Sequence, residues 1–108
     1  DVTKSTPDQA IKQDAGKLPW SLIPMEALEE VVRVYQIGAA KYGPRAWEKG
    51  IGWLRIWEAV QRHIAAWRKG EDLAPDDKLP HLAHATWGCL ALIEYARTHP
   101  ELDDRGTK

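Results

Sequence analysis

The sequence has a single cysteine, Cys89, a single methionine and no phenylalanine. One cysteine excludes an intrachain disulfide and a cysteine-built zinc cluster. Its setting in "GCLALI" reads as a small buried residue. No apolar run approaches the length of a membrane span, and the start lacks the charged-then-apolar pattern of a secretion signal. A reducing cytoplasm is therefore the expected location. Neither sign of charge dominates: 15 basic against 16 acidic residues leave a formal charge of −1. Nothing in that balance draws the chain to nucleic acid or to an anionic membrane. No segment alternates convincingly with period two, so the expected class is all-α.

What is present is tryptophan. Trp20, Trp47, Trp53, Trp57, Trp67 and Trp87 supply most of the large apolar volume. Most of them read as core, each indole N–H needing a partner when buried, while one or two beside a pocket could stack on a purine. At 108 residues the chain is one domain by size, and a chain this small closes its core more readily as an oligomer.

Residues 1–19 are polar and broken by Pro7, Gly16 and Pro19, an irregular N-terminal arm. Residues 20–99 form the helical domain, and residues 100–108 a polar tail expected to fray. Three main helices are predicted within that domain, a small bundle. The first spans residues 24–42, with Met25, Leu28, Val31, Val32, Tyr35, Ala39 and Tyr42 as its apolar stripe. Gly43-Pro44 stops it, and "GPRAWEKGIG" follows as a loop. The second covers residues 53–69, with Trp53, Trp57, Val60, Ile64 and Trp67 in step. The third runs over residues 80–98, and its middle, "ATWGCLALIEYA", is apolar almost all round. Such a helix is packed by several neighbours or by another subunit.

Chemistry concentrates around the third helix. His81 and His84, three apart, share one side near its start. The positive end of the helix dipole disfavours imidazolium there, which suits metal ligation or hydrogen-bond acceptance. Two satisfied core histidines is the plainer use. His63 lies on or beside the buried face of the second helix and strengthens the functional reading. Gly88, one turn beyond His84, either leaves room for a ligand or lets another helix approach.

Ahead of the histidines, "GEDLAPDD" carries Glu71, Asp72, Asp76 and Asp77. Complementing a helix N-terminus is their ordinary use; oxygen ligation of Mg²⁺ or Mn²⁺ is the functional one. Glu26 and Glu30, four apart, repel by a few tenths of a kcal/mol if merely exposed, about 0.2–0.5. Together they would suit a divalent ion. Glu29–Arg33 and Glu58–Arg62 are expected as ordinary i,i+4 pairs. Lys17, Lys41, Arg45, Lys49 and Arg62 are cations able to meet phosphate, with no P-loop spacing among them.

The segments "DAGKLPWSLIPMEALEEVVRVYQIGAAKYGPRAW", "RHIAAWRKGED" and "LPHLAHATW" resemble a phage-encoded family, the dATP/dGTP diphosphohydrolase N-terminal domain. That family is grouped loosely with MazG-like all-α nucleotide pyrophosphohydrolases. The resemblance covers residues 14–97 and is carried by Gly16, Lys17, Glu26, Lys41, Tyr42, Trp47, His63, Trp67, Gly70, Glu71, Asp72, His81 and His84. Two positions depart from the pattern: Ala74 stands where the family often has a second aspartate, and Lys78 where it often has glycine. The paired ExxE and ExxD acids of MazG-like proteins are not intact either, since histidines stand on the helix that should carry the second pair.

The resemblance implies hydrolysis of a purine deoxynucleoside triphosphate to monophosphate and pyrophosphate, with Mg²⁺ or Mn²⁺, in the cytoplasm of an infected host. Metal ligands would be Glu26, Glu30, Asp72, His81 and His84. Catalysis would rest on Glu30 and on His63 as general base or as an orienting group. Lys17, Lys41 and Arg62 would balance phosphate charge, and Trp47 or Trp67 would stack on the base. A homo-oligomer, dimer or larger, is expected. The rival expectation is a non-catalytic nucleotide-binding protein of phage, a sponge that holds intact nucleotide without an ion. A third is an interaction module whose histidines are structural.

Overall fold

The computed structural model describes residue 13 and residues 15–106; most of the expected N-terminal arm lies outside them. Helix α1 spans Met25–Tyr42, α2 Trp53–Arg68 and α3 His81–Thr98. No strand occurs among the described residues. The termini follow backbone rules. Pro24 precedes α1 and Pro80 precedes α3, where a missing N–H removes nothing the helix uses. Gly43, in the left-handed half of φ space at 97°, ends α1.

Helix α3 is central, packed by α2 along one side and by α1 along another. Trp53, Ile56 and Val60 of α2 meet Ala85, Ala91 and Tyr95 of α3 in one cluster. Val31 and Val34 of α1 form a second with Ala83, flanked by Leu28, Leu79 and Trp87. The contact surface of α3 is built largely from small residues, Ala83, Ala85, Gly88 and Ala91, with Tyr95 and Trp87 as its large members, so its neighbours lie close. Gly88 marks the closest point. A Cβ there would sit 2.4 Å from Cγ2 of Val60, so the position serves helix approach, the second of its two expected uses.

Several expectations are corrected by this packing. Because α3 offers a narrow contact strip, Met25, Val32 and Tyr42 of the expected first stripe are exposed, and Val34 is buried instead. In α2, Trp57, Ile64 and Trp67 are well exposed, and Ile56 takes the core place. Leu82, Leu90 and Ile93 of α3 are exposed, and so is Cys89, which points away from the strip. Arg33 pairs with Glu30 at 3.7 Å, an i,i+3 contact in place of the expected i,i+4 pair with Glu29. Glu58 and Arg62 are both exposed and form no pair among the described residues. Residues Ala46–Lys49 of the expected loop form a 3-10 turn.

The tail does not fray within the described residues. Pro100–Leu102 forms a 3-10 turn, and Leu102 packs against the α2–α3 cluster. The Trp53 indole N–H donates to the His99 carbonyl, the Leu54 amide donates to Asp104 Oδ1 at 2.9 Å, and the Arg105 guanidinium lies over the Trp53 ring. Asp104 thereby satisfies an orphan N–H at the start of α2, at a helix end that prefers negative charge.

Candidate functional site

The connector between α2 and α3 folds back on itself. Gly70 takes φ 104° and Lys78 φ 62°; the second is a left-handed position for a bulky residue, where the resembled family's glycine would fit without strain. The Ala74 amide donates to the Leu79 carbonyl and the Lys78 amide to the Ala74 carbonyl, both at 2.8 Å. Ala74 is buried inside this bend, a place where an aspartate would have to be desolvated. The His81 amide donates to the Asp72 carbonyl at 2.9 Å, which seats the first turn of α3 on the connector.

That bend carries Glu71 and Asp77 to the histidines. His63, on α2, approaches α3 from the side, with its Nδ1 2.9 Å from Nδ1 of His81. The other ring nitrogen of His81, Nε2, is 2.6 Å from Oε1 of Glu71. His81 is buried and Glu71 half-exposed. The His63 and His84 rings are stacked, centroids 4.5 Å apart and planes 6° from parallel. His84 Nε2 lies 2.8 Å from Asp77 Oδ2 but out of line for a hydrogen bond, and that buried nitrogen has no hydrogen-bond partner. The other oxygen of Asp77 accepts from the Leu79 amide at 2.9 Å, which fixes the carboxylate.

Three imidazoles and two carboxylates thus share one end of the bundle. Burial and the neighbouring His84 and His81 rings push the His63 pKa down, against a smaller upward pull from Asp76 and Asp77. A neutral imidazole among acids is a base near neutral pH.

Of the residues expected to act, the structure brings His63, His81 and His84 together. Glu71 and Asp77, passed over in favour of Asp72, are the carboxylates that reach them. Asp72 acts through its backbone carbonyl, and its side chain is exposed. Glu26 lies on the first turn of α1, just before Leu28, and that segment packs beside Leu79 and Ala83; no ion pair or hydrogen bond joins it to the histidines. Glu30 lies 3.7 Å from Arg33, with both side chains partly exposed. Among the described residues no group of three or more His, Cys, Asp or Glu side chains is arranged to hold a metal ion. The expected five-residue donor set is therefore not assembled. Both ring nitrogens of His81 are already engaged, and the cluster is richer in nitrogen than Mg²⁺ or Mn²⁺ prefers. The residues present do not fit a resident ion of that kind.

Lys17, Lys41 and Arg62 are exposed, and Arg62 directly precedes His63. Trp67 is one turn beyond His63 on α2 and partly exposed, so it shares that side of the helix. Trp47 stands elsewhere, in an aromatic cluster with Tyr35, Trp87 and Tyr95. It also lines a cavity of about 370 Å³ with Glu94, Arg97 and Thr98. Those residues are ten or more positions along α3 from His84, about 15 Å at 1.5 Å per residue.

Comparison with known proteins agrees with the resemblance. Residues 7–105 match the family model described as dATP/dGTP diphosphohydrolase, N-terminal. A protein of Salmonella phage PMBT28 named dATP/dGTP diphosphohydrolase is 40% identical over 95 residues, covering 88% of this chain and 32% of that protein. The chain thus spans about a third of the length of that relative. No solved structure matches it.

Proposed function

The chain belongs to the dATP/dGTP diphosphohydrolase N-terminal family, and from that premise we propose that it hydrolyses a purine deoxynucleoside triphosphate to monophosphate and pyrophosphate at the His63–His81–His84 cluster. One observation carries the placement: a neutral-leaning imidazole, His63, held against a buried histidine and flanked by carboxylates from the connector. A base so placed takes a proton from water as the water oxygen bonds to the α-phosphorus. The bond from that phosphorus to the bridging oxygen breaks, and pyrophosphate leaves with the electron pair.

His63 would be the general base; Glu30, 3.7 Å from Arg33 on α1, is assigned no part. Arg62 and Lys17 supply exposed positive charge for the phosphates. Trp67, sharing the His63 side of α2, is the tryptophan better placed to stack on the base; Trp47 and Lys41 are assigned no part. Mg²⁺ or Mn²⁺ would arrive on the triphosphate as part of the substrate. A homodimer would cover the apolar side chains that α2 and α3 leave exposed.

The test is product analysis of dATP and dGTP incubated with the purified chain, with Mg²⁺, with Mn²⁺ and with neither. Monophosphate and pyrophosphate in equal amounts, abolished by His63→Ala, support the reading. Tight binding of intact nucleotide would instead favour a nucleotide sponge, and no interaction with nucleotide would leave an interaction module.

A further inference from the structure

We infer that Glu71 and His81 are positioning residues that fix the tautomer of His63, so that its Nε2, and not its Nδ1, is the atom that takes the proton. The inference rests on the proposed hydrolysis for its catalytic meaning, but its structural content stands on two successive contacts: Glu71 Oε1 with His81 Nε2, and His81 Nδ1 with His63 Nδ1.

The argument is one of donors and acceptors. A carboxylate only accepts hydrogen bonds, and a neutral imidazole has one N–H and one lone pair. Glu71 Oε1 lies 2.6 Å from His81 Nε2, so His81 carries its proton on Nε2. In the neutral ring its Nδ1 is then the lone pair. That lone pair faces His63 Nδ1 at 2.9 Å, so His63 must donate from Nδ1. The proton-free atom of His63 is consequently Nε2. With His81 neutral, the opposite tautomer of His63 would set two lone pairs against each other at the His63–His81 contact, and reversing His81 as well would move that clash to Glu71.

The same line gives the proton somewhere to go. As an O–H bond of water breaks and its proton bonds to His63 Nε2, the Nδ1–H of His63 can pass to Nδ1 of His81. The positive charge then rests on His81, beside Glu71, and away from the stacked His84 ring, where a cation on His63 would be least welcome. Asp76 and Asp77 also face His63 and moderate the same charge. No atom is gained or lost, and no co-reactant is needed.

Long-range imidazole ¹H–¹⁵N correlation spectra of the intact chain read the tautomers directly, without any substitution. The expected result is an Nδ1–H form for His63 and an Nε2–H form for His81. Glu71→Ala should convert His63 to a mixture of tautomers and lower kcat for dATP hydrolysis about 10- to 100-fold, a part of what a general base contributes, with KM little changed. His81→Asn, whose Oδ1 can stand where Nδ1 stood, should retain the Nδ1–H form of His63, whereas His81→Ala should lose it. An Nε2–H form of His63 in the unsubstituted protein overturns the inference, even if nucleotide is hydrolysed. Should the tautomers be as stated while no nucleotide is hydrolysed, the function falls and the hydrogen-bonded line stands.

Discussion

The rings of His63 and His84 lie face to face, 4.5 Å between centroids and 6° from parallel. Two imidazolium ions cannot comfortably occupy that geometry, so the native fold resists protonating both. Burial first, and then the neighbouring rings, lower the His63 pKa. An unfolded histidine titrates near its usual value of about 6.5. Below that pH the unfolded chain therefore binds more protons than the folded one. The stability His63 contributes is present above about pH 6.5 and is lost as pH falls through its depressed folded value. Urea midpoints should be lower at pH 5.5 than at pH 7.5, and His63→Gln should narrow the difference. An unchanged difference would show that acid acts elsewhere.

His99 should respond with the opposite sign. It hydrogen-bonds to Glu101 and to the Glu48 carbonyl, which raise its pKa, and Glu101 is lowered in return. The His99 contribution is present below about pH 6.5 and is lost as pH rises through its raised folded value. In an NMR titration the His99 ring should shift above the ordinary histidine midpoint and the His63 ring below it. Coincident midpoints would contradict the His99 hydrogen bonds together with the burial of His63.

Gly88→Ala sets two effects against each other. Alanine is the better helix former by about 1 kcal/mol, but its methyl would meet Val60 at 2.4 Å and Ile56 at 3.4 Å. Overpacking costs about 1–3 kcal/mol, and valine has few rotamers with which to yield. The net expectation is a loss of about 1 kcal/mol, recovered in part by Val60→Ala. A thermal-unfolding comparison of the two variants checks it; a more stable Gly88→Ala protein would mean that the helices are farther apart than they are here.

Tyr95 is fully buried, and its hydroxyl donates to the Trp47 carbonyl. Tyr95→Phe keeps the ring and strands that carbonyl, at a cost of about 1–3 kcal/mol. Chemical denaturation should register the loss with an unchanged slope. If stability is unaffected, water has replaced the hydroxyl.

The helices were legible because their signals are local. Pro24, Gly43, Gly70 and Pro80 bracket them in the sequence, and the observed ends fall within a residue of the expected ones. The three histidines were legible for the same reason, standing on periodic segments. The carboxylate partners were not. Glu71 is ten positions from His81, and which acid of "GEDLAPDD" reaches it depends on a bend fixed by the backbone of Ala74 and Lys78. Helical spacing says nothing about such a bend. The one local hint was Asp77 two residues before Leu79, the spacing of a side chain that caps its own turn. Likewise, Asp104 meets Leu54 across 50 positions, a pairing that composition of a polar tail cannot foretell. The apolar stripes misled where α3 presents alanine and glycine: a close approach buries few side chains, and large ones at the strip's edge stay outside.

The notch at Gly88 has a consequence for accuracy. Val60, which fills it, precedes His63 by three residues, and Gly88 follows His84 by four. Along the two helices that is only about 4.5 and 6 Å, too short a span for bending to absorb an error. Whatever sets the depth of one valine in one gap therefore also calibrates how far apart two imidazoles stand. The missing methyl acts as a gauge block, and the spacing of the stacked His63 and His84 rings is inherited from it.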